Sequence, residues 1–256
     1  MTEVSDDAEG SPSAPAWCEH GPGAHDGGVA VPASAPVAAR AWLLIEHLGP
    51  WAHSAVETVL PGSLGRLAAE ADQAGIRVQL IRRPLRTSTQ GEHSPLDSSA
   101  DLAVYAAWTG GPEPWLRQLD VTAPDGGEAA LAGISEGVVP AGAEDAGPLY
   151  LVCAHARRDR CCGRFGGPLA RELAARYPRQ VWETTHLGGH KHAPNLALLP
   201  HGLYYGPADL PAALGAIEAY ERGQVSAQRY RGRAGHDLAW QQAEHARLTA
   251  GGRARG

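Results

Sequence analysis

The sequence predicts an α/β fold of two lobes, with a mixed sheet flanked by helices in the C-terminal lobe and a related α/β unit in the N-terminal lobe. Short apolar runs of strand length alternate with segments of helix-forming composition, and glycine and proline mark the connections between them. The order strand, helix, strand occurs in both halves of the chain. With 256 residues, of which 43% are hydrophobic, the chain can bury substantial cores.

The composition divides the chain into five segments. Stretches rich in Gly, Pro, Ser and acidic residues separate the apolar parts, and such stretches cannot bury enough surface to fold alone. The predicted segments are a disordered lead-in (1–38), an N-terminal α/β lobe (39–122), a linker (123–147), a C-terminal lobe (148–223) and a basic helical tail (224–256).

The N-terminal lobe is predicted to begin with a parallel βαβ unit. An apolar strand run at 41–46 precedes a helix-forming segment at 64–74, and a second strand run follows at 76–81. Two strands joined through a helix by short connections favour parallel pairing. Further strands are expected at 101–108 and 115–121.

The C-terminal lobe repeats this plan and extends it. Its predicted elements are a strand (149–153), a helix (168–177), a strand (180–185), two hairpin strands (195–199 and 203–205) and an amphipathic helix (207–222). The tripeptide Pro200-His201-Gly202 is typical of a hairpin turn. The order β, α, β, β, β, α is that of the thioredoxin fold, so we expect a thioredoxin-like lobe.

The charge and the termini exclude several classes of partner. A net charge of -6 argues against general nucleic-acid binding, which needs a basic surface to neutralise phosphates. No apolar run approaches the roughly 20 residues that span a bilayer, and the acidic first residues do not resemble a secretion signal. We therefore expect a cytoplasmic protein without a nucleic-acid or membrane partner. In that reducing compartment, cysteines are expected to be metal ligands, catalytic thiols or core residues rather than disulfides.

Residues 153–206 hold three of the four cysteines and five of the twelve histidines. Because both cysteine and histidine positions follow strands of one parallel unit, they are expected at the same end of the sheet. Glycine accepts backbone angles that other residues resist, so the Gly188-Gly189 loop can turn two imidazoles inward. The side chains that can surround one metal or redox centre are Cys153, either Cys161 or Cys162, His186 and His190.

Three motifs in this stretch resemble the sucrase/ferredoxin-like family. They are C-x-H-x-x-R-D-x-C-C-G at 153–163, V-W-E-x-x-H-x-G-G-H at 181–190 and P-N-x-x-x-L-P-x-G-L-Y-Y-G at 194–206. The likeness extends to residues 42–51 and 230–244, so it covers most of the chain after the lead-in. It implies a thioredoxin-like ferredoxin with a [2Fe-2S] cluster held by two cysteines and two histidines.

Carried over to this sequence, the resemblance implies a ligand set of Cys153, Cys162, His186 and His190, with Cys162 selected by its position next to Gly163. Nearby arginines are expected to donate to the cluster or screen its charge, Asp159 to brace one of them, and Glu183 to accept from an imidazole. Pro194 is expected to be a cis proline. The residues predicted to surround the ligands are Arg157, Asp159, Arg160, Cys161, Glu183, Gly188, Gly189 and Pro194.

The residues leave three functions open. The first is an electron carrier that exchanges electrons with an unidentified redox partner protein. The second is a structural Cys2His2 zinc site, since the same donors suit tetrahedral zinc. The third is a thioredoxin-like thiol-disulfide oxidoreductase, which the lack of a C-x-x-C motif disfavours. Sucrose hydrolysis is not expected, because no pair of acidic residues stands out as a glycosidase pair.

Overall fold

The computed structural model describes residues 34–84, 102–121, 128–189 and 192–251. Within these ranges the chain has a mixed α/β fold with five α-helices and ten strands. The strands are β1 (Ala41–Glu46), β2 (Arg77–Arg82), β3 (Val104–Trp108), β4 (Trp115–Gln118), β5 (Glu144–Asp145), β6 (Leu149–Cys153), β7 (Val181–Thr184), β8 (Leu196–Leu199), β9 (Leu203–Tyr205) and β10 (Tyr230–Arg233). The helices are α1 (Leu64–Gln73), α2 (Glu128–Glu136), α3 (Gly167–Arg176), α4 (Leu210–Glu221) and α5 (Leu238–Thr249).

The two halves of the chain have the same topology. In the first half β1 and β2 pair in parallel across α1, and β3 and β4 form an antiparallel pair before α2. In the second half β6 and β7 pair in parallel across α3, and β8 and β9 form the hairpin before α4. The strand orders β2-β1-β3-β4 and β7-β6-β8-β9 therefore correspond, and β5 and β10 add equivalent outer strands.

The sheets of the two predicted lobes are joined. Strands β2 and β7 pair antiparallel, which gives one ten-stranded sheet within the described residues. A bond of 2.8 Å between Arg82 Nε and the Glu183 carboxylate crosses this junction. The pairing satisfies backbone groups that two separate sheets would leave exposed along an edge.

Several segments outside the predicted strands and helices are built into the fold. The predicted linker contains α2, which buries Leu131 and Ile134 against the first half, and the short strand β5. The predicted helical tail contains α5 and the strand β10. All four residues of β10 are buried. The glycine-rich composition of the linker concealed α2 and β5, and the basic composition of the tail concealed the strand β10. Residues 1–33 of the predicted lead-in lie outside the described residues, while Ala35 is buried.

The buried charge of Arg233 on β10 has an ion-pair partner. Arg233 forms an ion pair of 2.8 Å with Glu244 on α5, and both side chains are largely buried. The Tyr230 hydroxyl also donates to the Glu244 carboxylate. Burial of these charges is tolerated because each is paired and hydrogen-bonded. None of the helices in the described part of the chain is both long and apolar enough to cross a membrane.

The hairpin turn between β8 and β9 carries a histidine that we expect to make stability depend on pH. Burial, and to a lesser extent the charge of Arg233, lowers the pKa of His201 to about 4. His201 Nδ1 is 2.7 Å from the Tyr220 hydroxyl. Since the unfolded pKa is about 6.5, this stabilisation is complete above that pH and is lost as the pH falls toward the folded value.

We therefore expect His201→Gln to reduce the loss of stability between pH 7.5 and pH 5. Discounted for partial exposure, the reduction should be about 1 to 2 kcal/mol. The measurement is the free energy of unfolding in urea at both pH values, for the variant and the wild type. Equal losses in the two proteins would contradict the assignment.

Candidate metal centre

Two thiols and one imidazole converge at the end of β6. Cys153 Sγ lies 3.9 Å from His186 Nδ1, and Cys162 Sγ lies 3.8 Å from the same nitrogen. All three donor atoms lie within 4.8 Å of one another. Both cysteine side chains are fully buried and the histidine is half-buried. Soft sulfur donors with an imidazole are the ligand types that zinc and iron-sulfur clusters prefer.

The strand pairing brings these residues together. Cys153 is the last residue of β6 and lies opposite Thr184, the last residue of β7. The chain turns from β7 into the loop that carries His186, so the imidazole lies next to the thiol of the neighbouring strand. Because side chains alternate along a strand, Leu151 and Cys153 face one core cluster while Tyr150 and Val152 face another. The ligand position is thus fixed by the register of a parallel pair.

The cysteine loop is held by a carboxylate and by a close backbone contact. The Asp159 carboxylate accepts from the backbone N–H groups of Cys161 and Cys162, at 2.8 and 3.2 Å. Cys162 then begins a turn of π-helix that ends at Gly166. A Cβ atom at Gly166 would lie 1.8 Å from the Cys153 carbonyl oxygen. The turn can therefore pack on the end of β6 only with glycine at this position.

The two thiols have opposite pKa shifts. The hydrogen bond with Cys162 holds the pKa of Cys153 well below its usual range, and His186 and the Leu187 backbone N–H act in the same direction. The pKa of Cys162 is raised, first by its hydrogen bond with Cys153 and then by burial. A metal ion that bound both sulfur atoms would displace the remaining thiol proton to solvent.

His155 supports His186 rather than joining the donors. Its Nδ1 accepts from the His186 backbone N–H at 3.2 Å, and its Nε2 lies 2.7 Å from the Ala52 carbonyl oxygen. These contacts require a neutral imidazole with its proton on Nε2, and burial lowers the pKa of His155 accordingly. With both ring nitrogens in use, His155 positions the backbone of His186 and connects it to the first half.

The first half contacts the site at a second point. Arg77 on β2 donates from Nη2 to the His186 carbonyl oxygen at 3.1 Å. A cleft of about 290 Å³ lies beside these residues and is lined on both sides, by Arg77 and Gln79 from the first half and by Arg158 and His186 from the second. The half-buried imidazole of His186 therefore borders a polar cleft. Neither Arg77 nor the role of His155 had a signal in the sequence, because both depend on contacts between the two halves.

The remaining predicted residues have varied placements. Gly188 and Gly189 have the positive φ angles, 95° and 69°, that the loop was expected to need. The bond before Pro194 is cis, as predicted. Cys161 is buried but is not among the three converging groups. The expected ligand His190 lies outside the described residues.

Four predicted charged residues have the following placements. Glu183 is paired with Arg82 instead of an imidazole. Its neighbour Trp182 packs in the same core cluster as Cys153, so the side chain of Glu183 lies on the opposite face of the sheet. Arg157 and Arg160 are exposed. Asp159 binds backbone N–H groups, as described above, rather than an arginine.

The spacing of the donors is suited to metal binding. Bond lengths of about 2.3 Å to sulfur and 2.0 Å to nitrogen place two donors of one tetrahedral ion roughly 3.5 Å apart. The observed separations between sulfur and nitrogen, 3.8 and 3.9 Å, are close to this value. With one further donor, the three groups supply the four protein ligands that a zinc ion or a [2Fe-2S] cluster requires.

Comparison with known proteins identifies a family. Residues 33–232 match the model of the family described as sucrase/ferredoxin-like. This range includes all three converging residues. No curated protein and no solved structure matches the chain.

Proposed function

Because this chain belongs to the sucrase/ferredoxin-like family, we propose that it is an electron-transfer protein carrying a [2Fe-2S] cluster on Cys153, Cys162, His186 and His190. The single observation that supports this most directly is the convergence of two buried thiols and an imidazole at the end of a parallel βαβ unit. A bound cluster would accept and release one electron, with histidine ligation giving a higher potential than four cysteines.

The chain's own residues supply a rigid and shielded site. Asp159 fixes the backbone at Cys162, and His155 and Arg77 fix the two backbone groups of His186. Fixed donors limit the rearrangement that accompanies electron transfer. Full burial of the sulfur atoms excludes water from that side, while half-burial of His186 leaves an imidazole near solvent.

The spacing of the donors favours a second candidate, a structural zinc site with the same residues. The distances between sulfur and nitrogen, 3.9 and 3.8 Å, are close to the distance expected for two donors on a single tetrahedral ion. A thiol-disulfide oxidoreductase is less consistent with the geometry. A catalytic thiol has to reach its substrate, whereas Cys153 and Cys162 are both fully buried.

The test is the metal content of protein purified without oxygen. We expect about two irons and two acid-labile sulfides per chain, visible absorption, and a paramagnetic resonance signal after reduction with dithionite. Stoichiometric zinc without sulfide would overturn this proposal and establish the zinc candidate.

A further inference from the structure

Arg231 on β10 is a buried cation whose contacts are all neutral. Its side chain is 2% exposed, and in the described part of the chain it forms no ion pair with a carboxylate. Its Nε donates to Ser34 Oγ at 3.0 Å, and its Nη2 donates to the Ser34 carbonyl oxygen at 2.9 Å. A buried charge without a counter-ion costs several kcal/mol. The guanidinium can therefore compensate a negative charge that is added nearby.

The guanidinium lies directly under the histidine loop. Its Nη1 donates to the Asn195 side-chain oxygen and, at 3.4 Å, to the Gly188 carbonyl oxygen. Asn195 in turn donates from Nδ2 to the Gly189 carbonyl oxygen at 3.1 Å. A Cβ atom at Gly189 would lie 2.3 Å from Arg231 Nη2. The loop between the two histidine positions is therefore held against the guanidinium with no space between them.

The histidine loop connects this cation to the metal centre, because Gly188 and Gly189 lie between the ligand positions 186 and 190. Burial lowers the pKa of Arg231 to about 10, and Tyr204 and then Cys153 act in the opposite direction. The guanidinium is thus protonated at neutral pH. Tyr204 is uncharged at that pH, because burial raises its pKa. A fixed positive charge therefore lies against the loop that carries the histidine positions of the centre.

We propose that Arg231 is a positioning and charge-compensating residue of the metal centre, which holds the Gly188-Gly189 loop and makes reduction of the centre more favourable. This inference rests on the proposed function. With two thiolates and two neutral imidazoles, a [2Fe-2S] centre is neutral when oxidised and has one negative charge after it takes one electron from a reductant protein. No bond breaks in this step. A fixed positive charge stabilises the reduced form selectively.

The experiment compares Arg231→Gln, Arg231→Lys and the exposed control Arg222→Gln. The readout is the midpoint potential, measured by redox titration of the visible spectrum, with iron content and circular dichroism as checks. We expect Arg231→Gln to shift the reduction equilibrium at least tenfold toward the oxidised form, about 59 mV for one electron. Arg231→Lys should restore most of this shift, and the control should match the wild type.

An unchanged potential in Arg231→Gln, or an equal fall in the Gln and Lys variants, would overturn the charge role. If Arg231→Gln does not fold, Asn195→Asp places a carboxylate against the same guanidinium and should lower the potential instead. Failure of the proposed function is a separate result, because it is seen in the wild type as zinc without sulfide. In that case competition with a zinc chelator decides the inference, since Arg231→Gln should then bind zinc at least tenfold more weakly than Arg231→Lys.

Discussion

Cys162→Ser is expected to abolish metal binding, and Cys161→Ser is expected to preserve it. The Cys162 sulfur lies 3.8 Å from His186 Nδ1, within the group of three donors, whereas Cys161 is outside that group. A serine hydroxyl is a much poorer ligand for zinc or iron-sulfur clusters than a thiolate. The metal and sulfide content of each variant, measured after purification without oxygen, should therefore fall to background only for Cys162→Ser.

The two variants are matched controls for each other. Both cysteines are buried, and the backbone N–H groups of both bind the Asp159 carboxylate. The same substitution at either position thus replaces a buried thiol in the same turn, and general damage to folding should be similar. Retention of metal by Cys162→Ser together with its loss from Cys161→Ser would show that the ligand is the other cysteine.

Gly166→Ala is expected to separate the π-helical turn from the end of β6. The added methyl group would lie 1.8 Å from the Cys153 carbonyl oxygen, which belongs to backbone that cannot rotate away. Overpacking of this kind costs about 1 to 3 kcal/mol or more. Because the displaced segments carry Cys153 and Cys162, we expect loss of metal together with a lower free energy of unfolding.

Gly215→Ala is the control for this prediction. Gly215 lies within α4, and a Cβ atom there would meet nothing within 4 Å. Alanine in a helix interior is favoured over glycine by about 0.5 to 1 kcal/mol, so this variant should be slightly more stable and fully metallated. Urea unfolding and metal analysis of both variants provide the test. A Gly166→Ala protein with wild-type stability and metal content would show that the close approach is not required.

The two halves of the internal repeat make different contributions to the metal centre. In the first half, the position that corresponds to Cys153 at the end of its strand is Glu46 at the end of β1. Glu46 is buried and accepts from the Ala103 backbone N–H at 3.0 Å. This position therefore has a structural role in the first half. The first half contributes to the metal centre through Arg77 and the carbonyl of Ala52, which hold His186 and its neighbour His155.

Local pattern was sufficient to predict most elements. The apolar runs predicted β1 and β6 with the bounds that the structure has, and the hairpin and α3 were predicted within a residue or two. The cysteine and histidine motifs also identified the group that converges, because each motif follows a strand of one parallel unit. The α/β class, the repeated order and the candidate donors were thus determined by the sequence alone.

Only the tertiary structure decided how these parts meet. The joining of the two halves through β2 and β7 depends on edge contacts between residues about a hundred positions apart, which leave no periodic signal. The strand β10 and the buried Arg231 have the composition of an exposed basic tail, because the partners that make burial of their charges tolerable are distant in the sequence. The family resemblance had selected Cys162 over Cys161, but the convergence of Cys162 with Cys153 and His186 depends on the direction of its side chain from the π-helical turn, which spacing alone does not specify.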